Sequence, residues 1–332
     1  IEELFGIDPE GQPKVSLKNH EDQPRQDVIL PICYRNTPWA LATAHAIGFG
    51  VYREKGLVQH FDDPKLWREI GYEVKSGDLR LGSHVDLERD SGTVPSYFSL
   101  LTSGDALIVK TDFDDEASQD QWVAEQIQEN IAEDELEHDD ILVVLPSAYT
   151  SKKRYSRLAE VLRASGLSSH LAGVNSTRDE VFIQGSIAVA HIFRAKGNEA
   201  PMVYVLDAHY AGGAFEEVSR RNTIFTGITR SKAWVRITGF GPGMERIGQE
   251  AQAVRDADFH LRFDIPTRDS LAQMRAVNIG GSLNSDVPRL LDIEQLLDAF
   301  DRGEVVIDEL PRTLRNRLAQ RANELAIDHD DA

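Results

Sequence analysis

Cysteine is nearly absent from this chain: Cys33 is the only one in 332 residues. A single thiol excludes an intrachain disulfide framework and a cysteine-based zinc site, and it suits a reducing, cytoplasmic setting. Also missing is any apolar run near the ~20 residues that a membrane helix needs. Basic residues are few beside acidic ones, 36 against 55, giving a net charge of -19. That balance argues against a dedicated, highly basic nucleic-acid-binding domain, but not against a strand held in a local groove. The phosphate loop G-x-x-x-x-G-K-[ST], the zinc motif H-E-x-x-H and the nucleophile elbow G-x-S-x-G do not occur, so no self-contained hydrolytic or metal site is visible. The chain begins on Ile1 rather than Met and reads as a piece of a longer protein.

What is present is an ordinary globular balance, 41% hydrophobic and 27% charged, enough chain for two or three compact units. Residues 1–26 are polar and punctuated by Pro and Gly, an extended lead-in. "DVILPICYRN" (Asp27 to Asn36) predicts a buried strand, and "TPWALATAHAIGFGVY" a helix with Thr37 as N-cap and Pro38 in its first turn. Residues 53–104 are mixed, with short strand candidates at Gly71–Val74 and His84–Leu87. From residue 105 the pattern is regular: "ALIVKT", "DDILVVLP", "SIAVAHIF" and "MVYVLDA" read as strands, with helices at 116–134 and in "SKKRYSRLAEVLRASG". "NTIFTGITRSKAWVRITG" (Asn222 to Gly239) reads as helix, turn and strand, with Arg230 in the turn. Strands alternating with helices predict a parallel α/β sheet covered by helices, and uniformly apolar runs such as Ile141–Leu145 suit strands buried on both faces. The acid-rich stretch Asp112 to Asp140 predicts a helix with a solvated face opposite Trp122, Val123, Ile127 and Ile131. "FHLRFDIP" is a last strand. Beyond a flexible "NIGGSLNSD" joint, "DVPRLLDIEQLLDAF" and "LPRTLRNRLAQRANELA" are amphipathic helices.

Three polar stretches border these elements: "CYRNT", "FRAKGNEAP" (Phe193 to Pro201) and "GITRSK". In open α/β sheets ligands bind outside the carboxyl ends of the strands, and these stretches are expected there. Two converging arginines suit a polyphosphate, because guanidinium is always charged and pairs with two oxygens at once. Arginines at such turns also pair with neighbouring acids, so both readings stand on the residues alone. "GFGPG" (Gly239–Gly243) lacks dinucleotide-fingerprint spacing and reads as a structural turn. Isolated histidines such as His209 and His138 read as satisfied side chains, and Cys33 as a small core residue.

Taken in order, the three stretches resemble the C-terminal motifs of superfamily 1 helicases of the UvrD/Rep type. "CYRNT" is similar to the N-Y-R-S/T segment (motif IV), "HIFRAKGNEAP" to T-x-H-x-A-K-G-x-E (motif V), and "FTGITRSK" to Y-V-x-x-T-R-A (motif VI). The resemblance implies a RecA-like α/β domain at 27–265, with 53–104 as a small mixed insertion and 266–332 as a helical extension. It implies ATP as cofactor, with Mg²⁺ and the Walker residues held by an N-terminal RecA-like domain that would precede the lead-in, and single-stranded DNA or RNA as partner. By this resemblance Tyr34 stacks near the adenine, Arg35 reaches the γ-phosphate, Glu199 contacts the ribose or nucleotide edge, and Arg230 is the arginine finger. Arg221 is a support residue, while Phe193, Arg194 and Lys196 face nucleic acid. His191 and Phe193 stand where the family has Thr and His, and Phe193 could stack on a base. Only the dozen residues "GVNSTRDEVFIQ" fill the place of the large insertion usual before motif V. Alone, such a chain is expected to lack ATPase activity. The alternative from the residues is a non-catalytic α/β module that binds a partner or nucleic acid.

Overall fold

The computed structural model describes residues 32–176, 180–213 and 217–280. The lead-in, the first residues of "DVILPICYRN" and the two amphipathic helices beyond the joint lie outside them. The chain enters with helix α1 (Pro38–Phe49), α2 (Leu66–Glu69), strands β1 (Tyr72–Gly77) and β2 (His84–Arg89), and the one-turn α3 (Ser103–Ala106). Then follow β3 (Leu107–Phe113), α4 (Glu116–Ala132), β4 (Ile141–Leu145), α5 (Ser151–Ala164), β5 (Ser169–Leu171), β6 (Ile187–His191) and α6 (Ile192–Ala195). The last described elements are β7 (Ala200–Val205), α7 (Glu217–Ile228), β8 (Ser231–Phe240), α8 (Gly241–Asp256), β9 (Leu261–Asp264) and α9 (Arg268–Gly280).

Six strands form the main sheet in the order β3-β8-β7-β4-β6-β5, with every neighbouring pair parallel. This is the predicted α/β class, a parallel sheet with helices on both faces. Alternation within the central strands explains why both faces must be covered. Leu142 and Val144 of β4 pack with Ala188, Val203, Val235 and Ile237 on the side of α1, α7 and α8. Ile141, Val143 and Leu145 pack with Val189, Met202 and Tyr204 on the side of α4 and α5. All five β4 residues are buried.

Helix α1 is buried along nearly its whole length. Its alanines make that affordable in space: Ala40, Ala44 and Ile47 join the main core, while Ala46 and Phe49 join a second cluster. The Thr37 hydroxyl accepts from Ala40 N, Pro38 opens the first turn, and Gly50 closes the helix at φ 73°.

The second cluster belongs to a small antiparallel sheet of order β1-β2-β9. Strand β9 therefore leaves the main sheet, pairing His84 with Asp264 and Leu87 with Leu261. The sequence predicts the strand but not this company. Trp67, Tyr72, Phe61 and Phe263 fill the cluster around Phe49.

Two expectations need correction. Residues 32–36 of the predicted first strand are irregular, because Asn36 turns to bond a distant carbonyl and Thr37 at once caps α1. The acidic face of α4 is not wholly solvated: Gln119, Asp120 and Asn130 are buried. Asp120 takes a bidentate pair from Arg154, at 2.7 and 2.5 Å.

Candidate functional site

Arg230 occupies the short connection between α7 and β8. On one side Ile224, Phe225 and Ile228 are buried; on the other Val235 and Ile237 are. Its backbone is bonded in both directions, N–H to Gly227 O at 3.1 Å and carbonyl to Ala200 N at 3.1 Å. The side chain is only 3% exposed, and its Nε donates to Thr226 O at 3.2 Å. Among the described residues no carboxylate forms an ion pair with it. Burial, and then the nearby Arg35 charge, pull its pKa below the ordinary guanidinium value, while Glu199 acts the other way.

The other two stretches arrive at the same place. Arg35 Nη2 lies 2.7 Å from Glu199 Oε1. Glu199 directly precedes Ala200, whose N–H is the donor to Arg230 O. Asn36 is buried, and its Nδ2 donates to Ser231 O at 2.7 Å. Arg35, Glu199 and Arg230 thus form one group from motif-like stretches IV, V and VI. The position differs from expectation: Glu199 and Arg230 stand at the amino ends of β7 and β8, where Ala200 faces Ser231, and not at the carboxyl ends. "GITRSK" leads into β8, the Glu199 end of "FRAKGNEAP" leads into β7, and "CYRNT" leads into α1. The Tyr34 ring is 66% exposed beside this group, and its carbonyl accepts the Tyr97 hydroxyl.

Phe193 and Arg194 make their contacts elsewhere, against His191 and Gly173. The one-turn α6 carries them away from the carboxyl end of β6 toward β7. Phe193 is 69% exposed, its ring edge-on to His191 at 6.2 Å. The Arg194 guanidinium lies against Gly173, where an added Cβ would come within 2.9 Å of Nε. Its buried Nε and Nη2 have no hydrogen-bond partner among the described residues. Burial, then Arg194, lower the pKa of His191.

Arg221 is tied into the core. It forms paired bonds to Glu250 at 2.8 and 2.7 Å, one to Ile47 O at 2.8 Å and one to Glu217 at 3.1 Å. His209 packs its ring on Phe240 at 4.3 Å, and burial lowers its pKa. Cys33 is half-buried, not core, with its sulfur near Asn36. "GFGPG" is a strand-to-helix junction, with Phe240 as N-cap of α8 and Gly241 at φ 68°. Among the described residues no group of His, Cys, Asp and Glu could hold a metal ion, and no helix is long and apolar enough to cross a membrane.

Sequence reasoning missed two features. One is Asn36, whose partner lies 195 positions away and leaves no local signal. The other is the buried network at the carboxyl end of β7, where Arg154 Nε reaches Asp207 at 2.8 Å while its terminal nitrogens hold Asp120. Burial raises the Asp207 pKa, but Arg154 and His209 outweigh it and leave it below the usual carboxylate value. Asp207 also adopts φ 54°, so this network fixes a strained turn.

Residues 186–238 match the family model of the UvrD-like helicase C-terminal domain. The matched segment holds the motif V and motif VI stretches, while the motif IV stretch "CYRNT" lies outside it. The chain is also similar to the C-terminal domain of a possible DNA helicase from Lactobacillus plantarum WCFS1. Identity is 21%, over 43% of this chain and 80% of that one, with a TM-score of 0.31. None of the curated proteins matches the chain.

Proposed function

We propose that this chain is the second RecA-like domain, with its insertion and helical extension, of an ATP-dependent helicase or translocase acting on single-stranded DNA or RNA. One observation carries the reading: Arg35 pairs with Glu199 at 2.7 Å, and the buried Arg230, whose carbonyl accepts the N–H of Ala200 next to Glu199, adds a second guanidinium with no carboxylate of its own among the described residues. Such a pair carries surplus positive charge in a chain of net charge -19. A triphosphate tail neutralises that surplus, and its terminal oxygens suit bidentate donors. The family match over the segment bearing Glu199 and Arg230 supports the same assignment.

In this reading ATP, with Mg²⁺, supplies the phosphoanhydride bond whose hydrolysis drives movement; the Mg²⁺ ligands and phosphate loop belong to an N-terminal RecA-like domain. Arg230 donates to the phosphoryl oxygens as charge builds on them. Its buried stem and bonded backbone hold it ready, so little reorganisation is needed. Arg35 exchanges part of its contact with Glu199 for the γ-phosphate. Tyr34 offers its exposed ring to the base, and Glu199 accepts from the ribose. On the other side of α6, Phe193 stacks on a nucleotide base, while Arg194 and Lys196 contact the strand backbone.

The chain alone should not turn over ATP in Mg²⁺, whereas the longer protein should do so under stimulation by a single strand. Sustained turnover by the isolated chain would contradict the shared site. A second reading has one observation in its favour, the Arg35–Glu199 ion pair at 2.7 Å. On that reading the arginines are structural and the domain is a non-catalytic module. Absence of turnover in the longer protein would favour it.

A further inference from the structure

Arg35 stands on a stretch without regular structure, between the irregular residues 32–34 and the first turn of α1. Something other than secondary structure must fix where its guanidinium points. Arg230 needs no such help, since α7 and β8 bracket it. The segment carrying Arg35 has one buried anchor to Arg230's own segment: Asn36 Nδ2 donating to Ser231 O at 2.7 Å. Asn36 directly follows Arg35, and Ser231 directly follows Arg230. The amide therefore links the two cation-bearing backbones at adjacent positions across 195 residues of chain. Asn36 is itself 5% exposed, and the Cys33 sulfur lies by its backbone N–H and side-chain oxygen. On the solvent side the Tyr97 hydroxyl, from the 53–104 insertion, donates to Tyr34 O and steadies the same stretch.

We propose that Asn36 is a positioning residue for phosphoryl transfer, setting Arg35 in register with Arg230 through its hydrogen bond to Ser231. This rests on the reading of the Arg35–Arg230 edge as half of an ATP site. It adds a residue whose side chain touches neither nucleotide nor nucleic acid. A misplacement of order 1 Å at a group that must meet a phosphate can lower the rate by about 10²-fold. The loss should appear in kcat rather than KM, because register matters most where charge develops.

The experiment is a double-mutant cycle in the longer protein, reading ATP turnover stimulated by single strand. Asn36→Ala is expected to lower kcat about 10- to 100-fold with little change in KM. On an Arg35→Ala background, the same substitution should cost less than about twofold, since there is no longer an Arg35 to place. Equal losses on both backgrounds, or no loss in Asn36→Ala, would overturn the proposal. A merely structural role would lower the melting temperature and kcat alike on either background. Should the alanine variant fail to fold, Asn36→Ser serves in the same cycle, keeping a polar side chain but losing the reach to Ser231. Arg230→Ala run alongside separates two failures. If it abolishes turnover while Asn36→Ala does nothing, only the positioning role falls. If it leaves turnover intact, the ATP-site reading falls first.

Discussion

Arg221 and Arg230 come from one helix-to-strand segment and answer to different demands. Arg221 faces Glu250, which is 4% exposed, and Arg221→Ala would strand that carboxylate in the core. The expected loss is about 3–5 kcal/mol of folding stability. Arg230 has no such carboxylate among the described residues, and its loss also removes repulsion from Arg35. Arg230→Ala should cost about 1 kcal/mol or less. Urea unfolding of both variants tests the contrast; equal destabilisation would make Arg230 a structural residue. His45 gives a second residue-scale prediction. Its Nδ1 lies 2.8 Å from the Tyr72 hydroxyl, and burial, then the Arg89 charge, push its pKa down to about 3. In the unfolded chain the value returns to about 6.5, so below that pH the unfolded state binds a proton that the fold refuses. The stabilising effect of a neutral His45 is complete above about pH 6.5 and is lost by about 1.4 kcal/mol per pH unit on acidification toward the folded value. His60, pushed to about 4, acts with the same sign. Unfolding free energies should fall from pH 7 to 5.5, and His45→Gln should flatten that slope. An unchanged slope would mean that His45 is protonated in the fold.

At the scale of elements, the central strands were legible because burial on both faces demands apolar runs. Ile141–Leu145, Ile187–His191 and Ala200–Val205 all show it. The helix of Arg230's segment was legible from Ile224, Phe225 and Ile228, all buried. What local periodicity could not show was partnership at long range. Strand β9 looks like any alternating strand, yet pairs with β2 about 180 positions earlier. The apolar residues before Tyr34 suggested a strand reaching Asn36, but residues 32–36 are irregular, and Asn36 and the Thr37 cap lead straight into α1. The candidate residues were legible as motifs, whereas their edge was not: the stretches carrying Glu199 and Arg230 each sit between two elements, and only the register of β7 on β8 places them at the amino ends. Backbone proximity is also invisible in sequence. A Cβ on Gly212 would lie 2.0 Å from Gly243 O, where the turn after β7 meets the start of α8. Gly212→Ala must therefore push α8 away, with an expected cost of about 1–3 kcal/mol by urea unfolding. A neutral outcome would mean that this junction is loose.

At the scale of the whole molecule, the main sheet offers two different neighbourhoods. The amino ends of β7 and β8 hold the Arg35–Glu199–Arg230 group, and α6 at the carboxyl end of β6 holds Phe193 and Arg194. A helicase domain of the proposed kind uses the first toward ATP and a partner domain, and the second toward the strand. Removing the Phe193 ring should weaken single-strand binding by the longer protein by about 1–3 kcal/mol, as loss of a stacking platform does. Titration of Phe193→Ala with a labelled oligonucleotide checks this, and unchanged affinity would take Phe193 off the strand path. The central claim is that Arg230 completes an ATP site shared between domains. Its most direct test is ATP turnover by the longer protein carrying Arg230→Ala, with folding verified by urea unfolding. The account predicts a fall of about 10³-fold or more, as for other arginine fingers, with stability nearly unchanged. Turnover close to wild type in that folded variant would contradict it.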